Sequence, residues 1–212
     1  KLALWLHTFT VGAPLSFLDH HLRCGDSLFG ERLSSVRRDL NQLGPLFNEG
    51  DMAAMLTASQ GLAEISGIYD VDRSEVERSR SLMDDAYAML DSLRCVFDFW
   101  QALRWVAPLD APRRLRTDKH KAAAELLGGR YRNTLNVLLS SRTQLQSDDP
   151  VVDTAVNALL DECRALAKSE GFLHWELAFP AAYEHLASGH PVGGFDAVIG
   201  NPPYIDSEWL AK

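Results

Sequence analysis

The sequence predicts a mainly α protein in which a long helical block interrupts an open α/β sheet. Three observations lead there. From about Glu31 to Gly171, apolar residues recur at spacings of three and four, the period of a helix with one buried face. Strand-like runs occur only near the two ends, in "HLRCGDSL" (21–28) and in "FDAVI" (195–199). In the second of these, Phe195, Ala197, Val198 and Ile199 form a nearly continuous apolar run, which suits a strand covered on both faces in a parallel sheet. The expected division is a core piece over 1–30, a helical insertion over 31–171 and a second core piece over 172–212. With 46% apolar and 24% charged residues, a chain of 212 can bury a sizeable core.

The opening "KLALWLHTF" has the density of a buried helix, yet no capping residue precedes it and the rest of a signal peptide is missing. It reads as a cut made inside a larger protein. "GAPLSFLDH" (12–20) is a loop punctuated by Gly12 and Pro14, and "HLRCGDSL" is a short strand ending in a turn at Gly25-Asp26-Ser27. Helices are expected over 30–43, 50–68, 73–106, 118–140 with a weak point at Gly128-Gly129, and 150–169. The third is the most informative. Val76, Ser79, Met83, Ala86, Leu90, Leu93, Phe97 and Trp100 form a heptad seam. At about 1.5 Å per residue this helix is about 50 Å long, so it should pack against antiparallel partners from the same block. Pro108 and Pro112 stop it. After Gly171 come "FLHWELAFP" with mixed signals, a short helical segment around "AAYEHLAS", a "GHPVGG" loop and the apolar strand.

Composition narrows the function. A net charge of -8 argues against a free-standing nucleic-acid binder, because phosphate contacts need clustered Lys and Arg. A local contact is still open at "PRRLRTDKHK" (112–121), where Arg113, Arg114, Arg116, Lys119 and Lys121 lie close together ahead of Arg130 and Arg132; such a run is commonly just a solvated face. The sequence has no run of about 18 apolar residues, so no membrane association is expected and the chain reads as cytoplasmic. Cys24, Cys95 and Cys163 are odd in number and scattered, which fits reduced core thiols better than disulfides or a metal site. Asp19, His20 and His21 do not make a metal site, since neighbours in a strand point to opposite faces. Trp175 and Glu176 sit among Leu173, Leu177 and Phe179, company that favours packing under the sheet over catalysis.

The stretch "FDAVIGNPPYI" (195–205) carries the chemistry. Open α/β folds place ligands at the carboxyl ends of their strands. There, Pro202 and Pro203 fix φ and remove two N–H donors, leaving rigid carbonyls that can only accept. Asn201 adds a carboxamide oxygen, and Tyr204 offers an aromatic face. A stiff set of acceptors beside a stacking ring suits the exocyclic amine of a base.

These residues resemble a known family. "NPPY" behind an apolar strand is similar to motif IV of the N6-adenine DNA methyltransferases, and "FLHWELAFP" with "GGFDAVIGNPPYI" resembles its setting in the large single-chain type IIG restriction and modification enzymes. "KLALWLHTFTVGAPLSFLDHHLRCGDSL" resembles the upstream stretch of the same enzymes. The resemblance implies a Rossmann-like methyltransferase core at the two ends, S-adenosylmethionine as cofactor and double-stranded DNA as partner. It implies that Asn201 and the carbonyl of Pro202 hold the target N6 amine, that Pro203 stiffens the turn, and that Tyr204 stacks on the flipped adenine. Asp26 matches the acidic position that contacts the cofactor's adenine ring. The family's Gly-containing cofactor loop and ribose-holding acid have no counterpart here, and later strands and the target-recognition domain would follow Lys212. The chain therefore reads as a fragment that transfers no methyl group alone. The helical block serves either as a brace or as a contact to the DNA backbone through Arg113, Arg114 and Arg116. The alternative from another class is an independent helical interaction module with an incidental NPPY turn.

Overall fold

The computed structural model describes residues 22–36, 38, 73–128, 148–179, 182–183 and 194–200. They are mainly helical. The elements are α1 (Arg73–Val106), a 3-10 turn (Arg113–Leu115), α2 (Asp118–Leu127), α3 (Pro150–Glu170) and α4 (Trp175–Ala178). Residues 33–36 and 38 are also helical, within the expected 30–43. The helix expected over 50–68 lies outside the described residues.

Helix α1 contains 34 residues with no Gly or Pro inside it, so nothing interrupts its ladder. It ends where expected: Ala107 N–H still reaches Leu103 O at 2.8 Å, and Pro108 cannot continue. The seam is buried as its spacing requires, with Ala86, Leu90, Leu93, Phe97 and Trp100 all in the core and Met83 at its edge. Toward the carboxyl end the buried stripe widens to take in Val96, Phe99, Ala102 and Leu103, because packed neighbours cover more than one side. Helix α3 packs against both α1 and α2. Its ends are explicit in the sequence: Asp149 accepts from the N–H groups of Val151 and Val152, Pro150 occupies the first turn, and Gly171 closes the helix at φ 61°. Helix α2 starts with Thr117, whose N–H donates to His120 Nδ1 at 3.0 Å, a capping box with histidine in the usual place of Glu. It stops at Gly128, where a Cβ would lie 2.6 Å from Ala124 O. The expected weak point is a helix end, and 129–147 lie outside the described residues.

Two strand expectations need correction. Among the described residues, the stretch 22–28 pairs only once, through an isolated parallel bridge between Asp26 and Phe172, because the chain closes into its turn immediately afterwards. Residues 195–199 form no strand, and Val198 and Ile199 are 70% and 98% exposed. A strand needs a partner ladder, and the described residues supply none beside this run. The cysteine expectation is corrected too. Cys163 is buried, but Cys24 and Cys95 are exposed; Cys95 lies two residues past Leu93, about 200° round the helix from the core stripe.

Candidate functional site

Of the residues singled out for chemistry, Asp26 is described, whereas Asn201, Pro202, Pro203 and Tyr204 lie outside the described residues, as do Asp19, His20 and His21. The half-buried Asp26 sits at the head of a tight turn. Its N–H donates to Gly171 O at 2.8 Å, and its carbonyl accepts from Leu173 N–H and Phe29 N–H, each at 3.3 Å. Its Oδ1 accepts from Leu28 N–H at 2.9 Å, the local bond that makes Asp a turn former. Gly30 is needed here: a Cβ would lie 2.1 Å from Leu173 O. With one carboxylate oxygen holding the turn, the group keeps acceptor capacity for an N–H or O–H of a ligand.

Residues 171–176 clamp this turn almost residue by residue. Leu173 N–H also donates to Phe29 O at 3.0 Å, and Trp175 Nε1–H donates to Ser27 O at 3.1 Å. His174 Nδ1 accepts from Glu31 N–H at 2.9 Å, and Glu176 Oε2 accepts from Leu33 N–H at 2.6 Å. Burial pushes the Glu176 carboxyl above the usual range, with Leu33 N–H opposing that shift. The Glu31 carboxylate is buried in turn against Arg104 of α1 at 2.8 Å. The packing role expected for Trp175 and Glu176 holds, but as backbone clamps and not as a layer under a sheet. Sequence reasoning missed His174. The available signal was its apolar company, since a buried imidazole must find partners for both nitrogens.

The same segment also meets the start of the run toward Asn201. The Phe195 ring packs edge-on against Trp175, Phe179 and Tyr183, with centroids 5.8, 5.5 and 6.0 Å away, and Gly194 N–H donates to Ala182 O at 2.7 Å. Residues 171–179 thus touch both the Asp26 turn and the root of the motif-bearing stretch. A cleft of about 180 Å³ opens nearby, lined among others by Arg23, Tyr87, Arg94 and His174. Asp26 does not line it. The Arg23 guanidinium stacks 3.9 Å over the Tyr87 ring, and both side chains donate to Ala178 O.

Residues 1–212 match the family model described as Eco57I restriction-modification methylase. The chain belongs to the Eco57I restriction-modification methylase family. No curated protein and no solved structure matches it. Membership in the Eco57I family makes the activity class DNA methylation within a restriction-modification system, with DNA as substrate. On the Eco57I-family chain, Arg113, Arg114 and Arg116 are all exposed, and Arg116 Nε–H is used by Ala111 O at 3.1 Å. Lys119 and Lys121 are engaged by Glu162 and Asp118. Among the described residues no cluster of three His, Cys, Asp or Glu could hold a metal ion, and no helix is long and apolar enough to cross a membrane.

Proposed function

We propose that this chain serves methylation of adenine N6 in DNA from S-adenosylmethionine, in a large single-chain enzyme of the type IIG kind. The observation that carries the adenine assignment is Asn201-Pro202-Pro203-Tyr204 directly behind an apolar run, in a chain that a methylase family matches from end to end. S-adenosylmethionine supplies an electrophilic methyl group. The Asn201 carboxamide oxygen and the Pro202 carbonyl accept hydrogen bonds from the N6 amine, which draws its lone pair out of conjugation with the ring. Pro203 keeps the acceptors rigid, and the Tyr204 ring stacks on the extruded base. Positioning does the work, with no covalent intermediate on the enzyme. Asp26 fits an acceptor for the cofactor's adenine: its carboxylate is anchored at one oxygen and held on a turn that three backbone bonds fix.

The chain acts as part of a larger enzyme and transfers nothing alone. The helical block serves as a brace for the core; the other reading, a contact of Arg113, Arg114 and Arg116 with the DNA backbone, needs those side chains exposed, as they are. The family match includes both ends as well as the helical block, which disfavours a separate interaction module. Labelled methyl groups from S-adenosylmethionine should appear in DNA as N6-methyladenine with the intact enzyme and be lost in Asn201→Ala. A methylcytosine product would refute the adenine assignment, and incorporation by purified 1–212 would refute the fragment reading.

A further inference from the structure

We infer that His174 is a positioning residue for Asp26, and that Asp98 on α1 supports the tautomer through which it acts. This rests on the reading of Asp26 as a cofactor contact. His174 is 3% exposed. Its Nδ1 lies 2.9 Å from the backbone nitrogen of Glu31, which can only donate. Nδ1 is therefore bare. A neutral imidazole then carries its hydrogen on Nε2, and Nε2 faces Asp98 Oδ1 at 3.0 Å. The carboxylate accepts that hydrogen and so favours the one tautomer that leaves Nδ1 free for Glu31, as a partner at one ring nitrogen does generally. Arg94 on α1 stands 3.9 Å from the other Asp98 oxygen and steadies its orientation. The Phe97 and Phe172 rings, with centroids 5.2 and 6.4 Å from the imidazole, pack around it.

The geometric consequence reaches Asp26. The turn over 26–31 is pinned at its start, where Asp26 N–H meets Gly171 O, and at its end, where Glu31 N–H meets His174. The opposite tautomer would set two N–H groups against each other at Glu31 and leave a buried amide without an acceptor. The turn would then keep its bonds to Leu173, Trp175 and Glu176 but lose the one at Glu31, and the added freedom there would loosen the direction of the carboxylate at its head. Helix α1 thereby reaches the Asp26 turn through this imidazole as well as through the Arg104–Glu31 ion pair.

The test compares two replacements in the intact methyltransferase. In His174→Asn the carboxamide oxygen can stand where Nδ1 stood, so Glu31 keeps an acceptor while the Asp98 link is lost. In His174→Gln the longer amide reaches Asp98, and Glu31 loses its acceptor. Calorimetric titration with S-adenosylmethionine should give a Kd within about threefold of wild type for the Asn variant and about tenfold or more weaker for the Gln variant. Nitrogen-15 spectra of the wild-type imidazole should show the hydrogen on Nε2, and in Asp98→Ala the Nε2 resonance should shift as its acceptor is lost while Glu31 N–H keeps Nδ1 bare. Equal Kd values for the two His174 variants, whether both intact or both lost, overturn the inference, as does a hydrogen found on Nδ1. Asp26→Asn separates the two levels. Weak binding there with an unchanged His174→Gln sinks only the positioning role, and unchanged binding there sinks the cofactor reading and the positioning role together.

Discussion

In the block made by α1, α2 and α3, the largest fully buried side chains are Phe97, Leu93, Leu103, Leu126, Val156, Leu160 and Cys163, and they meet one another as apolar surface. In the junction between 26–33 and 171–176, the buried side chains that matter are His174 and Glu176, and each meets one backbone N–H. The difference is one of tolerance. Apolar burial is non-directional and accepts any side chain of suitable volume. A hydrogen bond to a fixed N–H accepts only an oxygen or a bare nitrogen in the same place. The block should therefore fail by loss of volume, and the junction by loss of an acceptor or of close approach.

The largest effect should come from the block. Phe97→Ala should lower unfolding stability by about 3–5 kcal/mol, whereas Leu103→Met, which keeps the volume, should cost about 1.5 kcal/mol or less. Urea unfolding followed by circular dichroism measures both, and equal losses would break the comparison. Next comes close approach at the junction. Gly30→Ala drives a methyl group into Leu173 O and should cost about 1–3 kcal/mol, with faster amide exchange at Asp26 and Leu173 and unaltered exchange within α3. If exchange rises throughout α3 instead, the two regions do not behave separately.

The smallest effect is at Glu176. Its carboxyl is raised in the folded chain, so the protonated form is the one that folding favours. That contribution is fully present below the ordinary carboxyl range and is lost as pH rises through the raised value. Glu176→Gln keeps an oxygen for Leu33 N–H and removes the titration. Its stability at neutral pH should stay within about 1 kcal/mol of wild type, and the pH dependence over the mildly acidic window should flatten. A wild-type slope surviving in Glu176→Gln would assign it to another group. Thiol chemistry offers a further check on which cysteines belong to the core. Burial pushes the Cys163 thiol up to about 12 and raises the exposed Cys95 thiol too, with Asp98 and Asp91 adding to it, so iodoacetamide should label Cys24 first and Cys95 more slowly in the folded chain, and Cys163 only after unfolding.

Much of this was legible beforehand where local rules operate. The span of α1 and its stop at Pro108, the seam from Ala86 to Trp100, and the turn at Gly25-Asp26-Ser27 all follow from spacing and from residues with fixed backbone habits. The strand at 195–199 was misread because an apolar run states what a segment would bury and not whether a partner lies beside it. The Asp26 turn could be seen, but the clamp could not: Glu31 and His174 are 143 residues apart, as are Leu33 and Glu176.

What the sequence determined by itself is the span of α1 and its stop before Pro108, the two ends of α3, and the start of α2, because helix periodicity, caps and proline geometry act within a few residues of where they are encoded. Only the tertiary structure decided that His174 and Glu176 hold the turn bearing Asp26, and that Asp98 of α1 meets the other imidazole nitrogen. Those bonds exist only once distant backbone groups are brought within 3 Å of each other, and no local pattern encodes that meeting.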